Sequence, residues 1–296
     1  MVRFGLVAFA FGLFVGQLVN EKSAMMDYVK TLNMGSRSNR KKMTLFKIDT
    51  VKEKYGPIKN IALLGERNSG TTWITQELTD CFKASGITIT KGLIKDKHFF
   101  QHDDFTVPRV STLVVSMFRN PYDWSLAMQK RPHHSPEHLG LEIEEFLIKP
   151  WGMERPQRDL PYADMTGPIC QQGYYYKEVV PCLKLKQKPL DYDEELKNRT
   201  GISTGYSSWD PQYELRQDGS QRFHDSILHL RQAKIKNILS IKNWDWIATL
   251  RSVHYEKLLE EGTEPFFKEL EEILGVKMQC TPSPPSPERL SKYKMD

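Results

Sequence analysis

The chain has 296 residues, with 42 Lys+Arg against 37 Asp+Glu and a formal net charge of +5. A mean hydropathy of −0.53 excludes a multi-span membrane protein, and 11% aromatic residues exclude wholesale disorder. The charge excess is too small for a nucleic-acid footprint, so no nucleic-acid partner is expected. The length allows one large domain or at most two small ones.

From the N-terminus, Phe4 to Val19 is an apolar run preceded by Arg3. As a helix it covers roughly 24 Å, short of a ~30 Å hydrocarbon core but tolerable in a thinner bilayer. A cleaved signal peptide is the rival reading. Cleavage needs small residues at −3 and −1, and Phe14-Val15-Gly16 puts Phe at −3. The expectation is therefore an uncleaved anchor over residues 1–20. Lys22, Lys30 and Arg37 are partly offset by Glu21 and Asp27, which leaves its orientation open. Residues 21–55, with the cluster Arg37, Arg40, Lys41 and Lys42, read as a polar stem.

The folded part is expected over residues 56–280. Ile58 to Leu64 suits a buried strand, Gly65 to Gly70 a turn, and Thr71 to Phe82 a helix. Val110 to Phe118 reads as a second interior strand, with Pro121 in the first turn of the helix after it. Glu142–Leu147 and Phe223–Leu239 read as helices, Arg251–Tyr255 as a short strand and Glu264–Leu274 as a helix. Alternating strands and helices predict an α/β fold with a central parallel sheet flanked by helices. Residues 281–296, rich in proline, read as an extended mobile tail.

Of the four cysteines, no two show the C-x-x-C spacing of a metal or redox site. Cys170 and Cys182 read either as a short-range bridge or as buried thiols. Asn198-Arg199-Thr200 is an acceptable glycosylation sequon. His133-His134-Ser135-Pro136-Glu137-His138 invites a metal reading, but the flanking prolines give no helical ligand spacing. No metal is expected.

The most informative stretch is Gly65-Glu66-Arg67-Asn68-Ser69-Gly70-Thr71-Thr72-Trp73, between a buried strand and an amphipathic helix. Glycines let successive N–H groups curl inward, and the helix start adds partial positive charge, which suits a phosphate. The NTPase pattern G-x-x-x-x-G-K-[ST] has lysine where Thr71 stands, and the strand Val110–Phe118 ends in the cation Arg119. Both features count against ATP chemistry.

Ser69-Gly70-Thr71-Thr72-Trp73 resembles the 5′-phosphosulfate loop of the sulfotransferase family, and Phe118-Arg119-Asn120-Pro121 resembles its 3′-phosphate site. The resemblance implies a three-layer P-loop fold. It also implies transfer of a sulfuryl group from PAPS (3′-phosphoadenosine 5′-phosphosulfate) to a small-molecule or glycan hydroxyl, without a metal. Arg67, Asn68, Ser69, Gly70, Thr71, Thr72, Trp73, Arg119 and Ser125 would bind the nucleotide. Asn68 stands where the family's loop lysine falls, and Arg67 is the adjacent cation. Ala127 stands at the family's serine position, two residues past Ser125. His98 in Asp96-Lys97-His98 would be the base, with Lys97 steadying charge, as the family's K-x-H segment does at a slightly different spacing. Glu77 is the competing base. Tyr255-Glu256-Lys257-Leu258-Leu259 is similar to a late family segment and reads as packing only. The resemblance implies a Golgi or other secretory lumen for a single-pass protein. A kinase or NTPase and a non-catalytic nucleotide binder remain as alternatives; acceptor and oligomeric state are left open.

Overall fold

The computed structural model describes residues 37–103, 107–132, 135, 138–151, 216–218 and 222–289, with side chains from Phe46 onward. The anchor at Phe4–Val19, the Cys170–Cys182 pair and the sequon lie outside the described residues. The chain divides at Asp49/Thr50 into two compact units. The residues read as stem carry helix α1 (Arg37–Tyr55), which runs across that division. Among the described residues no helix is long and apolar enough to cross a membrane.

The second unit is built on strands β1 (Asn60–Gly65), β2 (Thr88–Thr90), β3 (Thr112–Phe118) and β4 (Ile247–His254). They form a parallel sheet in the order β2-β1-β3-β4. Strands at the centre of a parallel sheet are covered on both faces and read as continuous apolar runs. That is why β1 and β3 were legible: Ile61–Leu64 and Leu113–Val115 are fully buried. Ala62, Leu64, Val114 and Phe118 pack on Ile238 and Ile241. By strand alternation Ile61, Leu63, Leu113 and Val115 face the other way.

Among the described residues its α-helices are α2 (Thr71–Phe82), α3 (Pro121–Lys130), α4 (Ile143–Ile148), α5 (Ile227–Ser240), α6 (Tyr255–Glu261) and α7 (Glu264–Leu274). Phe82 of α2 meets Phe267 of α7 edge-on at 5.7 Å. Asn120 accepts from the Tyr122 N–H at 2.9 Å and Pro121 follows it, so α3 starts where proline chemistry requires. A second apolar cluster joins Trp124 and Met128 of α3, Phe146 of α4, Trp151, and Ile227 and Leu230 of α5.

One expected boundary moves, one strand was not anticipated, and the C-terminal segment makes contacts that its proline content does not suggest. The last strand begins at Ile247, not Arg251, because Ile247-Ala248-Thr249 are already buried; Tyr255 belongs to the following helix. Strand β2 was missed, since Thr-Ile-Thr on a sheet edge carries no apolar run. The described part of the C-terminal segment is fastened to the body. Cys280 is bridged to Cys81 at the end of α2. The Gln279 N–H donates to the Cys81 carbonyl at 2.8 Å, and the Ser286 N–H to the Leu259 carbonyl at 2.7 Å.

Candidate functional site

Strands β1 and β3 are neighbours, and the chain leaves β1 toward β2 on one side before returning to β3 on the other. Such a reversal opens a crevice beyond the carboxyl ends of the two strands, where α/β sheets bind ligands. The loop after β1 and Arg119 after β3 both lie at that end, in register through Gly65 and Met117.

The loop is tightly built. Ser69 is fully buried, and its hydroxyl donates to the Glu66 carbonyl at 2.6 Å, closing a turn. Asn68 takes a positive φ of 58°, a backbone state that asparagine tolerates better than most residues. Its side-chain amide donates to the Ala127 and Arg131 carbonyls at 3.3 and 3.1 Å, fastening the loop to the end of α3. That is a different task from a phosphate-directed lysine's. Arg67 is buried, with its guanidinium 5.3 Å from the centre of the Phe99 ring.

Gly70 is the N-cap of α2 at φ 80°, and it offers no side chain to the first-turn amides. Thr71 is buried and Thr72 exposed at that first turn. Trp73 donates its indole N–H to Glu77 at 2.6 Å and meets the Tyr255 ring edge-on. A Cβ on Gly70 would lie 2.7 Å from Tyr255 ring carbons. Left-handed backbone alone costs an L-residue roughly 1–2 kcal/mol. Gly70→Ala is therefore expected to destabilise the protein by about 2 kcal/mol or more. An unchanged denaturation midpoint would show that the ring does not pack there.

Arg119 is buried and reaches across to the loop: Nη1 donates to the Asn68 carbonyl at 2.9 Å. Its guanidinium lies 5.2 Å from the Tyr255 ring centre, and Nε is 3.9 Å from Glu256. Glu256 also accepts from the Asn120 N–H at 2.9 Å. The Tyr255-Glu256 pair, read from sequence as packing only, thus lies against Arg119 and Asn120. Ser125 points elsewhere, its hydroxyl donating to the Pro121 carbonyl one turn back at 2.8 Å.

The Lys97-His98 segment docks on the strand end itself. The Gly65 N–H donates to the Lys97 carbonyl at 3.0 Å, and His98 Nδ1 lies 3.0 Å from the Gly65 carbonyl. A carbonyl only accepts, so Nδ1 carries the proton and the neutral ring keeps its lone pair on Nε2. Burial, with Arg67, Lys97 and Lys234 nearby, pushes the imidazole well below its ordinary value of 6.5, although the Gly65 carbonyl pulls the other way. The ring is neutral at pH 7. Burial likewise lowers the Lys97 ammonium from its usual 10.5.

Glu77 is not positioned as a rival base. Besides Trp73 it accepts from the Thr263 hydroxyl at 2.7 Å and from the Ser283 hydroxyl, so it clasps the C-terminal segment to α2. Of the histidine-rich stretch, His138 is described; it is buried and stacks on Trp151 at 4.3 Å.

Sequence reasoning missed the residues that assemble the site. Glu66 is buried, pairs with Arg231 of α5 and accepts from the Arg119 N–H at 3.1 Å. Arg231 also donates to the Arg119 carbonyl at 2.6 Å and lies 4.6 Å from the Trp124 ring centre. Trp124 in turn donates to the Arg67 carbonyl at 2.9 Å. Gln101, almost fully buried, organises residues 94–101. Its side-chain oxygen accepts from the Ile94 and Lys95 N–H groups, and its amide donates to the Lys95, Asp96 and Phe99 carbonyls.

No family model matches the chain, and neither a curated protein nor a solved structure does.

Proposed function

We propose that the chain is a sulfotransferase on a three-layer P-loop architecture, moving a sulfuryl group from PAPS to a hydroxyl of a small-molecule or glycan acceptor. One observation carries the reading: three segments far apart in sequence meet at adjacent strand ends. They are the Gly65–Trp73 loop, Arg119 bonded to that loop at Asn68, and His98 seated on Gly65.

In this reading the 5′-phosphate of PAPS rests on the amides at the start of α2 with the hydroxyls of Thr71 and Thr72. Arg119 and the start of α3 take the 3′-phosphate. His98 Nε2 accepts the acceptor's proton as its oxygen attacks sulfur. The new S–O bond forms while the bond to the bridging oxygen breaks, and that electron pair leaves with the bisphosphate PAP. Positioning and charge stabilisation supply most of the rate. The strand-end carboxylates favour this reading over a kinase or NTPase. Glu66 is engaged by Arg231, and Glu256 by Arg119 and Asn120, so neither is presented for a nucleotide-bound metal.

The Cys81–Cys280 bridge supports an oxidising compartment, in keeping with a secretory lumen such as the Golgi and a membrane anchor in residues 1–20. Calorimetry with PAP and with ATP–Mg²⁺, followed by transfer of labelled sulfur from PAPS to a pool of hydroxyl acceptors, tests the activity. PAP binding with label transfer is the expected result. PAP binding without transfer would make the chain a non-catalytic binder, and metal-dependent ATP turnover without PAP binding would make it an NTPase.

A further inference from the structure

Sulfuryl transfer leaves negative charge on the bridging oxygen of the departing phosphate, and a fixed cation is the effective partner for it. Residues 65–73 contain one cation, Arg67, while Asn68 spends its amide on the end of α3. Helix α5 brings another. Arg231, Lys234 and Asn237 recur at three-residue intervals and so share one face. Arg231 grips Glu66 within the loop. Asn237 exchanges two 2.7 Å hydrogen bonds with the backbone of Gln101. Between these two fastenings, Lys234 Nζ is held 5.4 Å from the Phe99 ring centre and 5.8 Å from that of Phe100. Arg67 approaches the same Phe99 ring at 5.3 Å, and His98 is the residue before it.

We propose that Lys234 is a further catalytic residue, bearing with Arg67 on the sulfuryl group and the bridging oxygen, so that this charge comes from α5 and not from a loop lysine. The role rests on the sulfuryl-transfer reading above. The charge of Lys234 is also felt by the imidazole of His98, in keeping with an ammonium close to the base.

Two variants of the full chain separate charge from packing. Lys234→Met keeps an apolar stem over the rings without the ammonium, and Lys234→Arg keeps a cation. Lys234→Met is expected to lower kcat by about 100-fold, as loss of one preorganised charge partner does. PAP affinity should fall by much less than kcat, because PAP keeps the bridging oxygen but lacks the sulfuryl group. Lys234→Arg should recover a substantial part of the rate. The acid limb of the kcat profile should move to higher pH in Lys234→Met, since a cation opposing imidazolium has gone. A packing role would produce neither the charge rescue nor that movement. Parent-like kcat in Lys234→Met, equal losses in the Met and Arg variants, or the same loss in Lys97→Met with Lys234→Met silent would each overturn the assignment. Failure of the parent protein itself to transfer label from PAPS would instead bring down the underlying reading, and this role with it.

Discussion

Replacing His98 by asparagine is expected to lower kcat by about 10²- to 10⁴-fold, the usual cost of losing a general base, with PAP affinity nearly unchanged. Asparagine is the informative choice. Its side-chain N–H occupies a place similar to Nδ1–H and can keep the bond to the Gly65 carbonyl, so the docking of residues 96–101 survives while the basic lone pair is lost. A variant that still turns over at the parent rate would move the base elsewhere. Glu77 is a poor successor, being committed to Trp73, Thr263 and Ser283.

The pH dependence carries the same claim. Because burial and cations depress the imidazole below 6.5, the proposed base stays unprotonated through neutrality, and activity is expected to fall only in more acid solution. The sign for stability agrees. Between the folded value and 6.5 the unfolded chain binds the proton that the folded chain refuses, so stability rises with pH across that window. His98→Asn should flatten both the acid limb of kcat and this part of the stability profile. An acid limb of kcat that persists unshifted in a residually active His98→Asn would assign it to another group.

The sequence carries the parts of this site that obey local rules. A fully buried strand must be apolar throughout, which exposes β1 and β3. A tight turn favours glycine or asparagine where the backbone goes left-handed, which exposes Gly70 and suits Asn68. Arg119 stands out as a cation closing an apolar run. His98 follows from chain order alone, and no local pattern says that it docks on Gly65.

The rest depends on pairings that no local window contains. Glu66 and Arg231 are 165 residues apart, and Gln101 and Asn237 are 136 apart. Each looks alone like an ordinary polar surface residue, and their importance comes from burial that only the tertiary fold imposes. Tyr255 and Glu256 were legible as a strand-to-helix signature, yet their closeness to Arg119 and Gly70 is set by the β3–β4 register. Asn68 marks the opposite case. Its amide caps the end of α3, so a departure at a motif position reflects a structural duty invisible in the motif itself.

Removing the Cys81–Cys280 bridge should be strongly destabilising. The two cysteines are 199 residues apart, and closing so long a loop in the unfolded chain is worth about 5 kcal/mol in the chain-entropy account. A typical domain has only ~5–15 kcal/mol of net stability in all, so Cys81→Ser is expected to lower the denaturant midpoint severely. The folded state adds a local consequence. The bridge, the Gln279–Cys81 backbone bond and the Glu77–Ser283 clasp hold the C-terminal segment on α2. Ser283 in turn receives the Thr263 N–H through its carbonyl at 3.0 Å, and the Thr263 hydroxyl accepts from the Ser283 N–H at 2.9 Å. With the bridge gone, hydrogen exchange at Gln279, Ser283 and Ser286 should accelerate well before the strands open. Cys280→Ser should match Cys81→Ser, because both remove the same constraint. A denaturant midpoint unchanged in both variants, or two free thiols at these positions in the native protein, would refute the bridge as a support of the fold.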